Sequence, residues 1–232
     1  MSHVFVETNW VVAYAAPAHH RVPAAVELLE RARAGEFQLH LPALCLTEAR
    51  HPLMTRCQPR HEANAIRDFL AWAKAGNADV SQEDDAVVRR VLSMFESRVK
   101  AGLGHLESIF EEILQDDAVE VFSLNDDMLQ RAVELSALDL RLEPFDQAIL
   151  SSILVRAHEL RAAGEADLSF CEQDKDLQPW DRQGRDTQPL RGLYDECGVW
   201  VYKDFTLTQP ERPDGWPGPP PPPPVGESSD PS

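Results

Sequence analysis

The sequence predicts an α/β fold: a mostly parallel sheet of about five strands with helices on both faces. Short runs rich in Val, Phe, Leu, Trp and Tyr recur along the chain, as buried strands require. Amphipathic helical stretches separate them. The chain has 232 residues, 43% of them hydrophobic, which suits one sizeable domain with its own core.

The first predicted strand is Val4–Val6. Glu7, Thr8 and Asn9 interrupt the apolar pattern, which resumes in "WVVAYAA". A helix follows at Ala24–Ala34 with Val26, Leu28, Leu29 and Ala32, and Gly35 closes it. The second strand is Phe37–Pro42. A helix leaves it through "ALCLTEAR" and carries Glu48. The third strand, Ala118–Leu124, comes too late for a single crossover, so the gap must hold about three or four helices. Two of these are legible. Asp84–Ala101 places Val88, Val91, Phe95 and Val99 on one face, and Leu103–Leu114 does so with Leu106, Ile109, Phe110 and Ile113. Helices are predicted at Asp126–Leu138 and at Pro144–Leu160, where Pro144 suits the first helical position. The last strands are Asp167–Glu172, after Gly164, and Gly198–Phe205. The organisation is a domain over 1–208, with a helical insertion at about 58–117. A tail over 209–232 holds six consecutive prolines and is expected to be disordered or polyproline II, without a role in the fold.

Composition narrows the function. A formal charge of −17 argues against passive coating of nucleic acid or anionic membrane. It does not exclude a nuclease, whose site holds metal ions on clustered carboxylates. Cys45, Cys57, Cys171 and Cys197 are scattered, with no C-x-x-C pair, which predicts a reduced, cytoplasmic protein. No signal peptide and no membrane span is expected.

Ligands of a parallel sheet bind beyond the carboxyl ends of its strands. Acids follow four of the predicted strands: Glu7, then Glu48, then Asp146 in the first turn of the Pro144 helix, then Asp174 and Asp176. Crowded carboxylates repel one another, and a hard divalent cation with oxygen ligands removes that cost. Each acid also has a plainer reading. Glu7 and Asp146 suit helix N-termini, worth about 0.3–1 kcal/mol each. A lone Glu48 suits a solvated face, and Asp174 and Asp176 suit a turn. "RHPLMTRCQPRH", just after Glu48, has three arginines and no acid, so Arg50, Arg56 and Arg60 are candidate phosphate ligands. The alternative is a solvated helix end.

The pattern resembles the PIN-domain family of metal-dependent nucleases. "VFVETN" matches the apolar strand ending in Asp-Thr-Asn, and Glu48 matches the family's glutamate after the second strand. Asp146 in "DQAIL" matches an aspartate opening a helix, "EQDKDL" matches the acidic turn after the fourth strand, and "LRGLYDECGVWVY" matches the closing helix–Gly–strand. The resemblance covers about residues 3–205 and is interrupted by the insertion. It implies a three-layer α/β/α sandwich. It also implies a Mg²⁺- or Mn²⁺-dependent endoribonuclease cutting single-stranded RNA, with catalytic Glu7, Glu48, Asp146 and Asp174. Asp176 joins the metal ligands and Thr8 and Asn9 support them. Many members are toxins neutralised by an antitoxin, which brings that partner into view, and an amphipathic hairpin at 84–114 can form a homodimer seam. Three positions depart from the family: Glu7 replaces aspartate, Glu172 replaces Thr or Ser, and Leu177 replaces Phe. Glu7 and Glu172 motivate an alternative, a catalytically weakened PIN-like protein acting as an RNA-binding or regulatory module. A dehalogenase-like phosphatase needs an aspartate nucleophile that "VETNW" lacks.

Overall fold

Parallel pairing orders the sheet. A computed structural model describes residues 1–57, 60–75, 81–138, 140 and 142–216, with the side chains of 60–62 excepted. The strands are β1 His3–Phe5, β2 Gln38–Pro42, β3 Val119–Phe122, β4 Leu168–Cys171 and β5 Val199–Tyr202. They form one five-stranded sheet in the order β3-β2-β1-β4-β5. The winding reverses between β1 and β4, the place where open α/β sheets bind ligands. The helices are α1 Thr8–Ala15, α2 Pro23–Arg33, α3 Leu44–Arg56, α4 Arg60–Ala75 and α5 Gln82–Gly104. They continue as α6 Leu106–Gln115, α7 Asp126–Ser136, α8 Pro144–Ala162 and α9 Leu190–Cys197. The α/β sandwich expected from the sequence is the fold observed. Among the described residues no helix is long and apolar enough to cross a membrane.

The chain divides into two compact units, Val6–Ser123 and Met1–Phe5 with Leu124–Ser232. In the first, α1 packs on α3, and β2 pairs with β3 in the register Leu39↔Val119. Trp10 is wholly buried, donates Nε1–H to the Ala25 carbonyl at 3.1 Å and stacks on Tyr14. Four helices, α3 to α6, separate β2 from β3. The start of the insertion at residue 58 lies outside the described residues. Ser81 caps α5 and Asp84 returns the bond, which sets its start ahead of the expected Asp84. The expected α5 face is only partly the buried one. Val99 is buried and Val88 and Phe95 are half-buried, while Val91 is 57% exposed and the buried Leu92 takes its place on the packed face.

In the second unit, β1 pairs with β4 and β4 with β5, all parallel. α7 packs along α8, which buries Ile149, Leu150, Ile153, Leu154 and Ala157. Gly198 ends α9 in the left-handed region, φ +65°, and the chain passes directly into β5. The tail differs from expectation at its start. Residues 209–216 pack on this unit: Pro210 accepts the Trp200 indole N–H at 3.0 Å, and Trp216 meets Trp200 edge-on. Arg191 lies over both indoles and Arg212 pairs with Asp167. One tryptophan among prolines supplies an apolar anchor that composition alone hides. The run of six prolines lies outside the described residues.

Candidate functional site

Glu7 follows β1 by two residues and is the N-cap of α1. Its backbone is extended, and its carboxylate accepts the Asn9 N–H at 2.9 Å. The capping alternative therefore holds in the structure. It leaves the ligand reading open, since one carboxylate oxygen fills the cap and Glu7 is only 3% exposed. Thr8 opens α1, is buried, and donates its hydroxyl to the Glu48 carboxylate on α3. Glu48 is half-buried. Pro52, within α3, has no N–H to give the Glu48 carbonyl one turn back. The first unit thus brings Glu7, Thr8 and Glu48 together where α1 crosses α3.

Sequence reasoning missed the group between them. Cys45 is wholly buried, three residues before Glu48 on the same helical face. Burial pushes its thiol well up. The negative charge of Glu7 and, after it, of Glu48 pushes the same way, against hydrogen bonds with Thr8. Cys45 therefore lies within reach of the charge of both acids. Its helical spacing from Glu48 was the available signal. Burial likewise raises the Cys57 thiol and carries that of Cys197 to about 11, which disfavours their thiolates.

The remaining acids belong to the second unit. Asp146 lies half-buried in the first turn of α8, behind Pro144. After β4 the chain makes a tight acidic turn. The Asp174 N–H donates to the Glu172 carboxylate, and the Asp176 N–H to Asp174 Oδ1 at 2.9 Å. The Gln178 amide donates to the Glu172 carbonyl at 2.9 Å. Glu172 is wholly buried and is the hub of this turn. Leu177 is buried as well, and the Tyr194 hydroxyl donates to its carbonyl at 2.9 Å. Asp174 is half-buried and Asp176 exposed.

The basic stretch is less uniform than its sequence. Arg50 pairs with Glu107 of α6, an acid supplied from the insertion. Arg56 is exposed and has no ion pair among the described residues. Arg60 opens α4, and its side chain lies outside the described residues.

Within each unit the carboxylates, Glu7 and Glu48 in one and those of the 174–176 turn in the other, are the oxygen donors that hard divalent cations take. Among the described residues, no three His, Cys, Asp or Glu side chains are gathered closely enough to hold one. No family model matches the chain, and neither a curated protein nor a solved structure matches it.

Proposed function

We propose that the chain is a Mg²⁺- or Mn²⁺-dependent endoribonuclease of the PIN-like kind, cutting single-stranded RNA inside the reducing cytoplasm. The observation that carries this reading is the buried Glu7 beside the half-buried Glu48, which the Thr8 hydroxyl ties to α1 where that helix meets α3. Neighbouring carboxylates repel one another, and a divalent cation between them removes that cost. Asp146, Asp174 and Asp176 complete the ligand set on this reading. When bound, the ion supplies an activated water and stabilises the leaving oxygen. The chain's own residues prepare the place. The Asn9 N–H fixes one Glu7 oxygen, and the Thr8 hydroxyl orients Glu48. Arg56 is uncommitted and available to a phosphate. The four free, buried cysteines suit a reducing compartment.

The test is cleavage of labelled single-stranded RNA with Mn²⁺. Asp146→Asn is expected to abolish it with little loss of fold, while Glu7→Asp retains or raises it. Cleavage by Asp146→Asn at the wild-type rate would sink the assignment. Mn²⁺ is also expected to raise the melting temperature, because a ligand that binds only the folded chain stabilises it.

The capping bond of Glu7, whose side chain is longer than the family's aspartate, favours a second reading, a binding module with weakened catalysis. Mn²⁺ binding with intact RNA would select it.

A further inference from the structure

Residues 179–187 of the second unit form a small hairpin that no role above absorbs. Trp180 bridges Asp186 in antiparallel fashion, and the Thr187 N–H donates to the Pro179 carbonyl at 3.0 Å. Gly184 turns the chain at φ +76°. The Asp181 carboxylate takes the backbone N–H groups of Gln183 and Arg185 at 2.8 and 3.0 Å, and pairs with the Arg185 guanidinium at 2.6 Å. The hairpin is therefore held from within, and it presents Trp180 half-exposed.

The indole borders two recesses. One, of about 570 Å³, is lined by Lys175, Asp176 and Arg182 among others. The other, of about 250 Å³, is lined by Arg191, Lys203 and Pro210 among others. The other tryptophans of this unit are engaged: Trp200 is buried and Trp216 lies against it and Arg191. Among the described residues the Trp180 ring has neither an aromatic nor an arginine partner. The cations divide in the same way. Arg185 and Arg191 pair with Asp181 and Asp195, while Lys175, Arg182 and Lys203 have no ion pair among the described residues. In a chain of charge −17, an uncommitted indole beside three uncommitted cations is a specific arrangement. Bases stack on exposed indoles, and lysines and arginines meet the phosphates between them. A proline-rich peptide can also lie on an indole, but it does not require the cations.

We propose that Trp180 is a base-stacking subsite for single-stranded RNA, with Lys175, Arg182 and Lys203 meeting its phosphates. The choice of RNA rests on the nuclease reading. Asp176 lines the first recess, so the subsite borders the acidic turn of that reading.

The test is binding of a fluorescein-labelled 12-nucleotide RNA to the full chain in EDTA, followed by anisotropy, with Mn²⁺-dependent cleavage measured in parallel. Trp180→Ala is expected to weaken binding by about tenfold, and Trp180→Phe to restore most of it. Replacing Lys175, Arg182 and Lys203 together by alanine is expected to lower the salt slope by about 2. These three are surface side chains, so this variant reports even if Trp180→Ala fails to fold. Equal RNA affinity in folded Trp180→Ala and wild type overturns the subsite, as does an unchanged slope. RNA affinity untouched, with a Pro-rich peptide bound only when Trp180 is present, also overturns it and gives the surface to a protein. Cleavage without Trp180 dependence sinks the subsite alone. Trp180-dependent binding without cleavage sinks the nuclease reading alone.

Discussion

The two groups of acids differ in how they are built. In the Met1–Phe5/Leu124–Ser232 unit, Glu172, Asp174 and Asp176 are joined by local bonds, each reaching two residues along the chain. A turn leaving a strand needs such acceptors, so turn-making explains this group without further purpose. In the Val6–Ser123 unit, the Glu7 bond to Asn9 is local in the same way. The bond from Thr8 to Glu48 is not: it spans 40 residues and joins two helices. A half-buried glutamate on α3 needs no such partner to be soluble, and Pro52 further removes the backbone donor one turn on. Local turn bonds therefore account for Glu172, Asp174 and Asp176, and helix capping accounts for Glu7. What local bonds leave over is Glu48, tied to α1 through Thr8.

The largest expected effect follows from that remainder. Glu48→Ala is expected to lower Mn²⁺-dependent cleavage by about 10²–10⁴-fold, the range for a positioned catalytic group. Asp176→Ala, exposed and bonded only within its turn, is expected to cost less than about tenfold. Rates measured under single-turnover conditions decide it. Equal losses in the two variants would erase the distinction between the groups.

A smaller effect has opposite signs in the two units. In EDTA, Glu7→Gln keeps the acceptor for Asn9 and removes a buried charge near Glu48. It is expected to raise unfolding stability by about 1 kcal/mol. Asp174→Ala removes the acceptor for the Asp176 N–H and is expected to lower stability by about 0.5–2 kcal/mol. Urea unfolding with unchanged m-values measures both. A loss of stability in Glu7→Gln would mean that its charge is satisfied by the fold alone, and the case for a cation would go with it.

These contrasts also mark what could be read from the chain. The strands announced themselves because buried parallel strands are continuous apolar runs, and each observed strand falls within or overlaps its expected span. Helix starts at Pro144 and near Glu7 were legible through local capping chemistry. α4 was hidden within the insertion: it buries Ala63, Leu70 and Ala73 while leaving the larger Phe69 and Trp72 exposed, so its bulkiest apolar residues do not mark its packed face. Contacts between distant segments left no periodic trace. The Thr8–Glu48 bond, the pairing of Arg50 with Glu107, the burial of Glu172 and the packing of Trp216 all depend on which elements the fold brings side by side.

The smallest effect tests a third kind of acid, one supported by a cation. Asp167 is drawn upward by partial burial, but hydrogen bonds from Ser2 and Arg212 outweigh this and hold its carboxyl below the usual aspartate range. A folded pKa below the unfolded one gives stability that is fully present above the unfolded value, about 3.9, and is lost as pH falls through the folded value. Wild type is therefore expected to exceed Asp167→Asn in stability at pH 5 to 6, with the gap closing below about pH 4. The gap is expected to be modest, within about 1 kcal/mol, because Asp167 is half exposed and solvent screens the pair. Arg212→Ala is expected to show the same profile and to loosen Trp216, readable as a red shift in tryptophan emission. A gap that instead widened on acidification would mean that burial, not Arg212 and Ser2, governs Asp167. The second unit would then contain a carboxylate governed by burial and not by its local bonds, and the contrast between the two units would fail.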